Sequence, residues 1–197
     1  MIQYCRCCSQ SLINDNKKRW RFRQMKKKID VYEYMGEILK GVKSGVLITG
    51  KDENKTNSMT ISWGMAGIEW GKPVFVTFIR ESRFTKTLID KNGEFTVNIP
   101  LDESAKKILA YCGSKSGRDV DKAKELGLTY EEPETISVPG IRELPLTLEC
   151  KVIYKQTQDI HAITEEDQEK FYPQNADGSQ DIHVAYYGEI VNAYVIE

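Results

Sequence analysis

Alternation of apolar and polar residues is the feature that most constrains how this chain can fold. From Gly45 onward, several short segments place an apolar side chain at every second position. The longest such series consists of Leu144, Leu146, Leu148, Cys150, Val152 and Tyr154. A period of two is typical of strands that bury one face and expose the other. The pattern therefore predicts a chain built mainly of β-strands.

The predicted elements also indicate how the strands are arranged. Strands are predicted over residues 46–49, 59–63, 74–79, 95–99, 144–154 and 182–196. Helical spacing predicts helices over residues 32–40, after Asp102 as far as Gly113, and after Asp119 as far as Gly127. Because helices do not alternate regularly with strands, a doubly wound parallel sheet is disfavoured. We expect a mainly β, mostly antiparallel barrel with peripheral helices.

Charge divides the chain into two parts. Residues 1–28 carry nine basic side chains and a single acid, whereas residues 29–197 carry 19 basic and 28 acidic side chains. We interpret residues 1–28 as a basic arm, either flexible or lying upstream of a natural start at Met25, and residues 29–197 as one domain. An acidic domain lacks the basic surface that nucleic acid requires, so no nucleic-acid partner is expected.

Segment lengths and cysteine usage bear on location. The longest apolar run, residues 74–79, is far shorter than the ~20 residues that span a bilayer, and no apolar segment typical of a secretory signal follows the start. Cys5, Cys7 and Cys8 lack the second cysteine pair of a zinc site, and Cys112 and Cys150 stand alone. We expect a cytoplasmic protein with neither a membrane segment nor a bound metal.

The usual catalytic patterns are missing from the sequence. His161 and His183 lack the neighbours of a metal pair or a nucleophile elbow, and both are interpreted as surface or strand histidines. Cys112 falls on the apolar face of a predicted helix, which favours burial over nucleophilic chemistry. No glycine-rich phosphate loop is present either. We therefore expect a bound cofactor to supply the reactive group.

A cluster of anion-binding side chains follows the apolar strand at residues 74–79. Arg80, Ser82, Arg83 and Thr85 stand where that strand leads into a predicted helix, with Ser82 as the expected cap. Free N–H groups at a helix start, two guanidinium groups and two hydroxyls match the oxygens of a phosphate monoester. An ordinary capped helix with surface arginines remains the alternative.

A second segment has the chemistry of a ring-binding strand. Thr60 and Ser62 would share one face and hydrogen-bond the polar edge of a flat heteroaromatic ring, while Trp63 would supply an apolar wall. Next to a phosphate site, such a strand indicates a nucleotide-like cofactor.

Six motifs occur in order along the chain: Asn57-Ser-Met-Thr-Ile-Ser-Trp-Gly, Trp70-Gly-Lys-Pro, Arg80-x-Ser-Arg-x-Thr, Phe95-Thr-Val-Asn-Ile-Pro, Cys112-Gly-x-x-Ser-Gly-Arg-Asp-x-Asp-Lys and Tyr187-Gly-Glu-Ile. Together they resemble the flavin reductase-like family, especially its flavoredoxin branch, over about residues 32–197. The resemblance implies an FMN-binding split β-barrel that forms a homodimer with FMN near the subunit interface.

The resemblance also implies a set of flavin contacts. The ring and ribityl chain would meet Asn57, Ser58, Met59, Thr60, Ile61, Ser62 and Trp63. The phosphate would meet Arg80, Ser82, Arg83 and Thr85. Ser116, Gly117 and Arg118 resemble the family's glycine-arginine-aspartate motif and would complete the FMN site or hold a reductant's phosphate, unless Arg118 only forms ion pairs with Asp119 and Asp121.

The implied function is that of an NAD(P)H-dependent flavin reductase whose chemistry is carried by FMN, with no catalytic protein residue. Two alternatives stay open. The same site would serve a flavoredoxin-type electron carrier with a protein redox partner, and the barrel would also serve as a non-redox ligand-binding module. No residue named above separates the first two functions.

Overall fold

The computed structural model describes residues 25–197, so residues 1–24, including the cysteines near the start, lie outside the described part of the chain. Eight strands form one sheet in which every pair is antiparallel. Their bounds are β1 Lys26–Lys28, β2 Val46–Lys51, β3 Thr56–Ile61, β4 Gly64–Glu69, β5 Lys72–Arg80, β6 Glu94–Ile99, β9 Leu146–Thr157 and β10 His183–Ile196, while β7 Tyr130–Glu131 and β8 Gly140–Ile141 form a separate pair. The predicted mainly β, mostly antiparallel class is confirmed.

The strand order shows that the sheet is curled. The order is β3-β2-β6-β9-β10-β5-β4, with β1 added along the end of β10. The two edge strands, β3 and β4, are consecutive in sequence and are joined only by Ser62 and Trp63. Because so short a link spans at most ~11 Å, the two edges must lie close together. This closure produces the split barrel.

The interior of the barrel follows the alternation seen in the sequence. Phe95, Val97 and Ile99 on β6 and Leu146 and Leu148 on β9 are fully buried in one core cluster. The polar residues that alternate with them, Thr96, Asn98, Thr147 and Glu149, are fully buried on the opposite face of the sheet. The longest alternating series was predicted to begin at residue 144, but the strand begins two residues later.

Helices cover the outside of the sheet. The α-helices are α1 Met35–Ser44, α2 Phe84–Asn92, α3 Lys106–Ser114, α4 Lys122–Leu126 and α5 Glu165–Phe171, and short 3-10 helices occupy Val31–Tyr34, Glu103–Ala105 and Ile160–Ala162. None of these described helices has the length and apolar character needed to cross a bilayer. The helix predicted over residues 32–40 starts as the 3-10 turn Val31–Tyr34 and continues as α1 to Ser44.

Helix caps agree with the sequence in one case and differ in another. Asp102 accepts a hydrogen bond from the backbone N–H of Ser104, as a cap does. The predicted cap Asp119 is wrong, because α4 begins later and Asp121 accepts from the N–H of Lys124. Both aspartates precede the apolar residues Ala123 and Leu126 of the helix, so the pattern alone did not separate them.

Two strand boundaries also differ from prediction. Residues 26–28, assigned to the basic arm, pair with Tyr194, Val195 and Ile196 of β10, so the sheet starts before the predicted boundary at residue 29. The lysine run carries no alternation; its backbone pairs with β10, and the Lys26 ammonium lies near the carboxylates of Glu131 and Glu134. Trp63 was predicted to lie on a strand, but β3 ends at Ile61, and Trp63 belongs to the link between the edge strands.

Gly188 on β10 allows a close approach inside the barrel. A Cβ atom added there would lie 2.4 Å from the ring of Phe95 and 2.9 Å from Cβ of Cys150. Gly67 on β4, by contrast, has open space around its Cα.

We expect Gly188→Ala to lower the free energy of unfolding by about 1–3 kcal/mol because the added methyl group would overpack the core. Urea unfolding measures this loss. Gly67→Ala is the control and should be neutral or slightly stabilising, and equal effects of the two substitutions would contradict the packing described here.

Candidate functional site

The candidate site is a cavity of about 270 Å³ outside the barrel, where β3, the start of α2 and the end of α3 meet. We call it the cationic cavity. Its lining residues are Asn57, Met59, Thr60, Ser82, Arg83, Phe84, Thr85, Cys112, Gly113, Ser114, Lys115, Ser116, Gly117, Arg118 and Lys122. Nine of the sequence-predicted site residues are therefore brought together around one space.

The charge of this lining is of one sign. Arg83, Lys115, Arg118 and Lys122 contribute four cations, and none of the described residues that line the cavity is a carboxylate. Cations gathered in a concave, partly desolvated space favour an anionic ligand. The donor set fits a phosphate group.

Lys122 is the most unusual of these cations because it is almost completely buried. Its Nζ donates hydrogen bonds to the carbonyl oxygens of Ser58 at 2.9 Å and Cys112 at 2.8 Å, and so ties β3 to α3. Burial lowers the pKa of Lys122, and the Arg83 guanidinium also contributes to that lowering. A lysine in the first turn of a short helix normally faces solvent, so sequence analysis did not select it, although it ends the cysteine-glycine motif.

Cys112 is buried beside Lys122, as its helical position predicted. Burial raises the pKa of the Cys112 thiol, although the Lys122 ammonium opposes that rise. A protonated, buried thiol is not a nucleophile.

Two predicted residues meet at the floor of the cationic cavity. Thr85 on the first turn of α2 is buried, and its hydroxyl oxygen accepts a hydrogen bond of 2.8 Å from Nδ2 of Asn57 on β3. Arg83 is the N-cap of α2, with an extended backbone and no side-chain cap hydrogen bond. No hydrogen bond or ion pair occupies its guanidinium among the described residues.

Ser82 differs from its predicted role as the helix cap. Its hydroxyl donates to one carboxylate oxygen of Asp181 at 2.7 Å, and its backbone N–H donates to the other at 3.0 Å. Asp181 belongs to the segment that precedes β10. Ser82 thus lies at the cavity rim with both donors engaged by a carboxylate, a partner that no local pattern could indicate.

Arg80 lies outside the cationic cavity. Its guanidinium donates to the carbonyl oxygens of Asp181 at 2.6 Å and Phe171 at 2.8 Å. It lines the neighbouring cavity described below. The two arginines expected to hold one phosphate have different surroundings, because Arg80 is the last residue of β5 and Arg83 is the N-cap of α2.

The connection from α3 to α4 forms one wall of the cationic cavity. Gly117 lies against Asn57 so closely that an added Cβ would be 2.1 Å from Oδ1 of Asn57. The Gly117 carbonyl accepts from Nζ of Lys55 at 3.0 Å. The Arg118 guanidinium donates to the carbonyl oxygen of Ser82 at 2.9 Å.

The glycine-arginine segment lies at the cationic cavity. Ser116, Gly117 and Arg118 line the cavity and precede α4 by several residues. The alternative of ion pairs from Arg118 to Asp119 or Asp121 is not observed in residues 25–197.

A second cavity of about 220 Å³ adjoins the first and shares Met59, Thr60 and Arg83 with it. We call it the tryptophan cavity. Its lining residues are Met59, Thr60, Ile61, Ser62, Trp63, Phe78, Arg80, Arg83 and His183. The indole ring of Trp63 packs edge-on against Phe171, with ring centroids 5.1 Å apart, and lies 5.0 Å from the ring of His183.

Two side-chain hydroxyls of β3, those of Thr60 and Ser58, already form hydrogen bonds within the protein. The Thr60 hydroxyl donates to the carbonyl oxygen of Leu109 on α3 at 2.6 Å. The Ser58 hydroxyl forms a 2.8 Å hydrogen bond with that of Thr49, so among the predicted residues Ser58 alone lines neither cavity. Ser62 is exposed in the link that follows the strand.

His183 was expected to be a surface or strand histidine, and it is a buried one at the start of β10, opposite Arg80 in the register. Its Nδ1 forms a 2.8 Å hydrogen bond with the hydroxyl of Tyr172, which also donates to Gln158 at 2.8 Å. Burial, helped by the Arg80 charge, lowers the pKa of His183 to about 4. The ring is therefore neutral at neutral pH.

The protein is a split antiparallel barrel whose outside carries a cationic cavity and an adjoining aromatic one. The chain belongs to the flavin reductase like domain family, whose sequence model matches residues 39–197. The resemblance seen in the motifs is confirmed, and family membership supports a flavin-dependent function of oxidoreductase type.

Individual proteins show how far the similarity extends. An uncharacterized protein of Archaeoglobus fulgidus is 30% identical over 129 residues, covering 66% of this chain and 71% of that protein. The crystal structure of flavoredoxin from Methanosarcina acetivorans is 27% identical, covers 78% of this chain and 68% of that one, and has a TM-score of 0.58. An FMN-binding domain of a flavin reductases-like enzyme from Shewanella baltica OS155 has a TM-score of 0.65 at 16% identity, covering 89% and 80% of the two chains, and supports the fold alone.

The buried His183 makes stability depend on pH. In the unfolded chain it takes up a proton below its ordinary pKa of 6.5, whereas in the folded protein it stays neutral down to about 4. The unfolded state thus binds more protons in this window, and stability falls as pH decreases through it. Between about pH 7.5 and about pH 5, we expect His183 to account for a loss of about 2 kcal/mol in the free energy of unfolding.

Urea unfolding at the two pH values checks this expectation. His183→Asn should remove that part of the pH dependence, and His161→Asn, at an exposed histidine, should retain it. The same pH dependence in wild type and His183→Asn would contradict a neutral, buried imidazole.

Proposed function

We propose that this chain binds FMN and is an NAD(P)H-dependent flavin reductase. The observation that carries the proposal is the cationic cavity, with four cations and no carboxylate among its described lining residues, in a chain of the flavin reductase like domain family. A phosphate monoester carries close to two negative charges at neutral pH, which such a lining would neutralise.

The phosphate would be held at the start of α2. Arg83 can offer paired guanidinium donors, Thr85 its hydroxyl, and Arg118 the guanidinium N–H groups that Ser82 does not engage. Lys122, held by the carbonyl oxygens of Ser58 and Cys112, would supply a fixed positive charge to the cavity. Asn57 positions Thr85 through its amide, and Gly117 lets the opposite wall approach.

The flavin ring would lie along the boundary of the two cavities, at Met59 and Thr60. Ile61, Ser62 and Trp63 would line its outer end, with Arg80 and a neutral His183 beside it. A bound FMN supplies the redox chemistry. The residues around it orient the ring, and the nearby guanidinium groups stabilise negative charge that develops there.

A homodimer is part of this proposal, supported by apolar side chains exposed on one sheet face. Met65 on β4 and Tyr154 on β9 are exposed and lie in one cross-strand row with the buried Val76 on β5 and the half-buried Tyr187 on β10. Trp70 packs on Tyr154 with ring centroids 6.4 Å apart. Trp70 is 67% exposed in a turn with φ of 49°. Exposed aromatic clusters of this kind are typical of protein interfaces.

The cytoplasmic location is likewise a proposal. Cys112 and Cys150 are free and buried in the described part of the chain. Unpaired thiols are typical of proteins from reducing compartments.

A flavoredoxin-type electron carrier is the second candidate function. The similarity to the Methanosarcina acetivorans flavoredoxin favours it, because both would use the same cofactor site. In that case a redox protein, rather than a nicotinamide nucleotide, would be the partner of the flavin.

The phosphate placement is tested at Arg83. Its side chain makes no cap hydrogen bond, so Arg83→Ala should leave α2 intact. Loss of charged hydrogen bonds worth ~1.5–3 kcal/mol should raise the FMN dissociation constant about 10- to 100-fold. Fluorescence titration with FMN measures it. Lys43→Ala removes an exposed charge that lines neither cavity, and its FMN affinity should match wild type. Unchanged affinity in Arg83→Ala would exclude this placement.

The two candidate functions are separated by an anaerobic absorbance spectrum of the FMN-loaded protein. We expect NADH or NADPH to bleach the flavin band within seconds, because a reductase must receive hydride from a nicotinamide that reaches the exposed ring. Bleaching by dithionite but by neither nucleotide would identify an electron carrier. Failure to bind FMN at all would point to a non-redox ligand-binding module.

A further inference from the structure

The backbone around Asp181 fixes this carboxylate beside the residues that lead into α2. The carbonyl oxygen of Asp181 accepts a hydrogen bond from the Arg80 guanidinium at 2.6 Å. The carbonyl oxygen of the next residue, Ile182, accepts from the backbone N–H of Glu81 at 3.0 Å. These contacts continue the pairing of β10 with β5, in which His183 lies opposite Arg80. The position of the Asp181 side chain is therefore set by the sheet.

The Asp181 carboxylate binds Ser82 with both of its oxygens. The Ser82 hydroxyl donates to one oxygen at 2.7 Å, and the Ser82 backbone N–H donates to the other at 3.0 Å. Ser82 lines the cationic cavity, whereas Asp181 lines neither that cavity nor the tryptophan cavity. The carboxylate therefore reaches Ser82 from outside the cationic cavity.

Asp181 differs from the other acidic side chains in the connection between β9 and β10. Residues 158–182 contain seven acidic side chains and a single lysine. Asp159, Asp167 and Asp177 accept hydrogen bonds from residues within their own turns. Of the seven, only Asp181 forms a hydrogen bond to the described residues that precede α2. Its contact with Ser82 is therefore particular to this carboxylate.

The Ser82 hydroxyl cannot serve Asp181 and a phosphate group at the same time. A serine hydroxyl has one proton, so it donates to one acceptor at a time. Ser82 is exposed, and rotation about its Cα–Cβ bond would turn the hydroxyl toward either anion. A carboxylate and a phosphate also repel each other at short distance. A phosphate at the start of α2 and the hydroxyl bond from Ser82 to Asp181 are therefore alternatives.

We propose that Asp181 is an internal competitor of the bound phosphate and thereby determines the affinity of the cationic cavity for it. When a phosphate group enters the cavity, the Ser82 hydroxyl turns from Asp181 to a phosphate oxygen, and the carboxylate moves away. The apparent affinity is then reduced by the fraction of molecules in which Asp181 holds Ser82. The placement of a phosphate in this cavity rests on the proposed function.

The direct test is Asp181→Ala in the full chain. The dissociation constants of inorganic phosphate, measured by isothermal titration calorimetry, and of FMN, measured by fluorescence titration, should each fall about three- to tenfold, because every molecule then has a free Ser82. Riboflavin, which lacks the phosphate, should bind the variant and wild type equally. Unchanged or weaker binding of both phosphate ligands would overturn the proposal.

Asp177→Ala is the matched control. Asp177 belongs to the same connection and carries the same charge, but its carboxylate accepts from Ser179 and does not contact Ser82. Its phosphate and FMN affinities should match wild type. An equal gain in Asp177→Ala and Asp181→Ala would assign the effect to overall charge and would overturn the proposal.

Asp181→Asn provides a second variant that keeps the size of the side chain. Its neutral amide can still accept from the Ser82 N–H, so we expect a gain in affinity smaller than that of Asp181→Ala. Urea unfolding shows whether either variant is folded. No gain in a folded Asp181→Asn would overturn the competition even if Asp181→Ala does not fold.

A double-mutant cycle with Ser82→Ala separates competition for the hydroxyl from simple repulsion. Without the hydroxyl, the gain produced by Asp181→Ala should shrink, because the carboxylate no longer withholds that donor from the phosphate. Repulsion through space does not depend on the Ser82 hydroxyl. An equal gain in the wild-type and Ser82→Ala backgrounds would therefore overturn the proposal.

A crystal structure of the protein with bound FMN or inorganic phosphate gives a readout that does not depend on affinity. We expect the Ser82 Oγ to lie within hydrogen-bond distance of a phosphate oxygen and no longer within that distance of Asp181. A bound phosphate together with an intact hydroxyl bond from Ser82 to Asp181 would overturn the proposal.

The competition and the flavin function can fail separately. If inorganic phosphate binds Asp181→Ala more tightly than wild type but FMN binds neither, the competition holds and the flavin function is wrong. If FMN binds in an Arg83-dependent manner with equal affinity for wild type and Asp181→Ala, the flavin function holds and the competition is wrong. If neither ligand binds wild type or Asp181→Ala, both are wrong.

Discussion

The two-residue link between the edge strands is the constraint on which the rest of the structure depends. The strands that begin and end the sheet path, β3 and β4, must approach each other because only Ser62 and Trp63 connect them. An open sheet of this order would hold its edges several strand spacings apart. Closure also places Met59 and Thr60, at the end of β3, beside Trp63, so the boundary of the two cavities is built by the same link that closes the barrel.

The charge distribution around the site depends on backbone groups as much as on side chains. Two carbonyls compensate the buried ammonium of Lys122, and two others hold the guanidinium of Arg80. Lys122 therefore joins α4 to β3 and α3, and Arg80 joins β5 to the end of α5 and to the segment that precedes β10. A buried charge that lost its carbonyl partners would be costly. Lys122 in the cationic cavity and Arg80 in the tryptophan cavity are therefore held in place before any ligand arrives, which reduces the ordering cost of binding.

Much of the sheet could be predicted from the sequence because alternation indicates which side chains enter the apolar core of the barrel. The segments around Phe95 and Val74 were placed within two residues. Lys26–Lys28 could not be predicted as a strand, because its pairing with β10 is made by backbone groups and joins residues far apart in sequence. For the site, Arg83 and Thr85 were recognised from the helix start. Lys122 and His183 were missed because their burial arises from the packing of distant elements.

The central position of β10 has a consequence for the order of folding. This strand lies between β9 and β5, and its first residue pairs with Arg80, which precedes it by about a hundred residues. Until β10 has been synthesised, the half of the sheet that contains β5 and the half that contains β9 have no common strand, and each presents an unpaired edge. Closing such long loops before contacts form is slow. Emergence of the last strand from the ribosome thus sets the earliest moment at which the barrel, and the cavities that depend on it, can assemble.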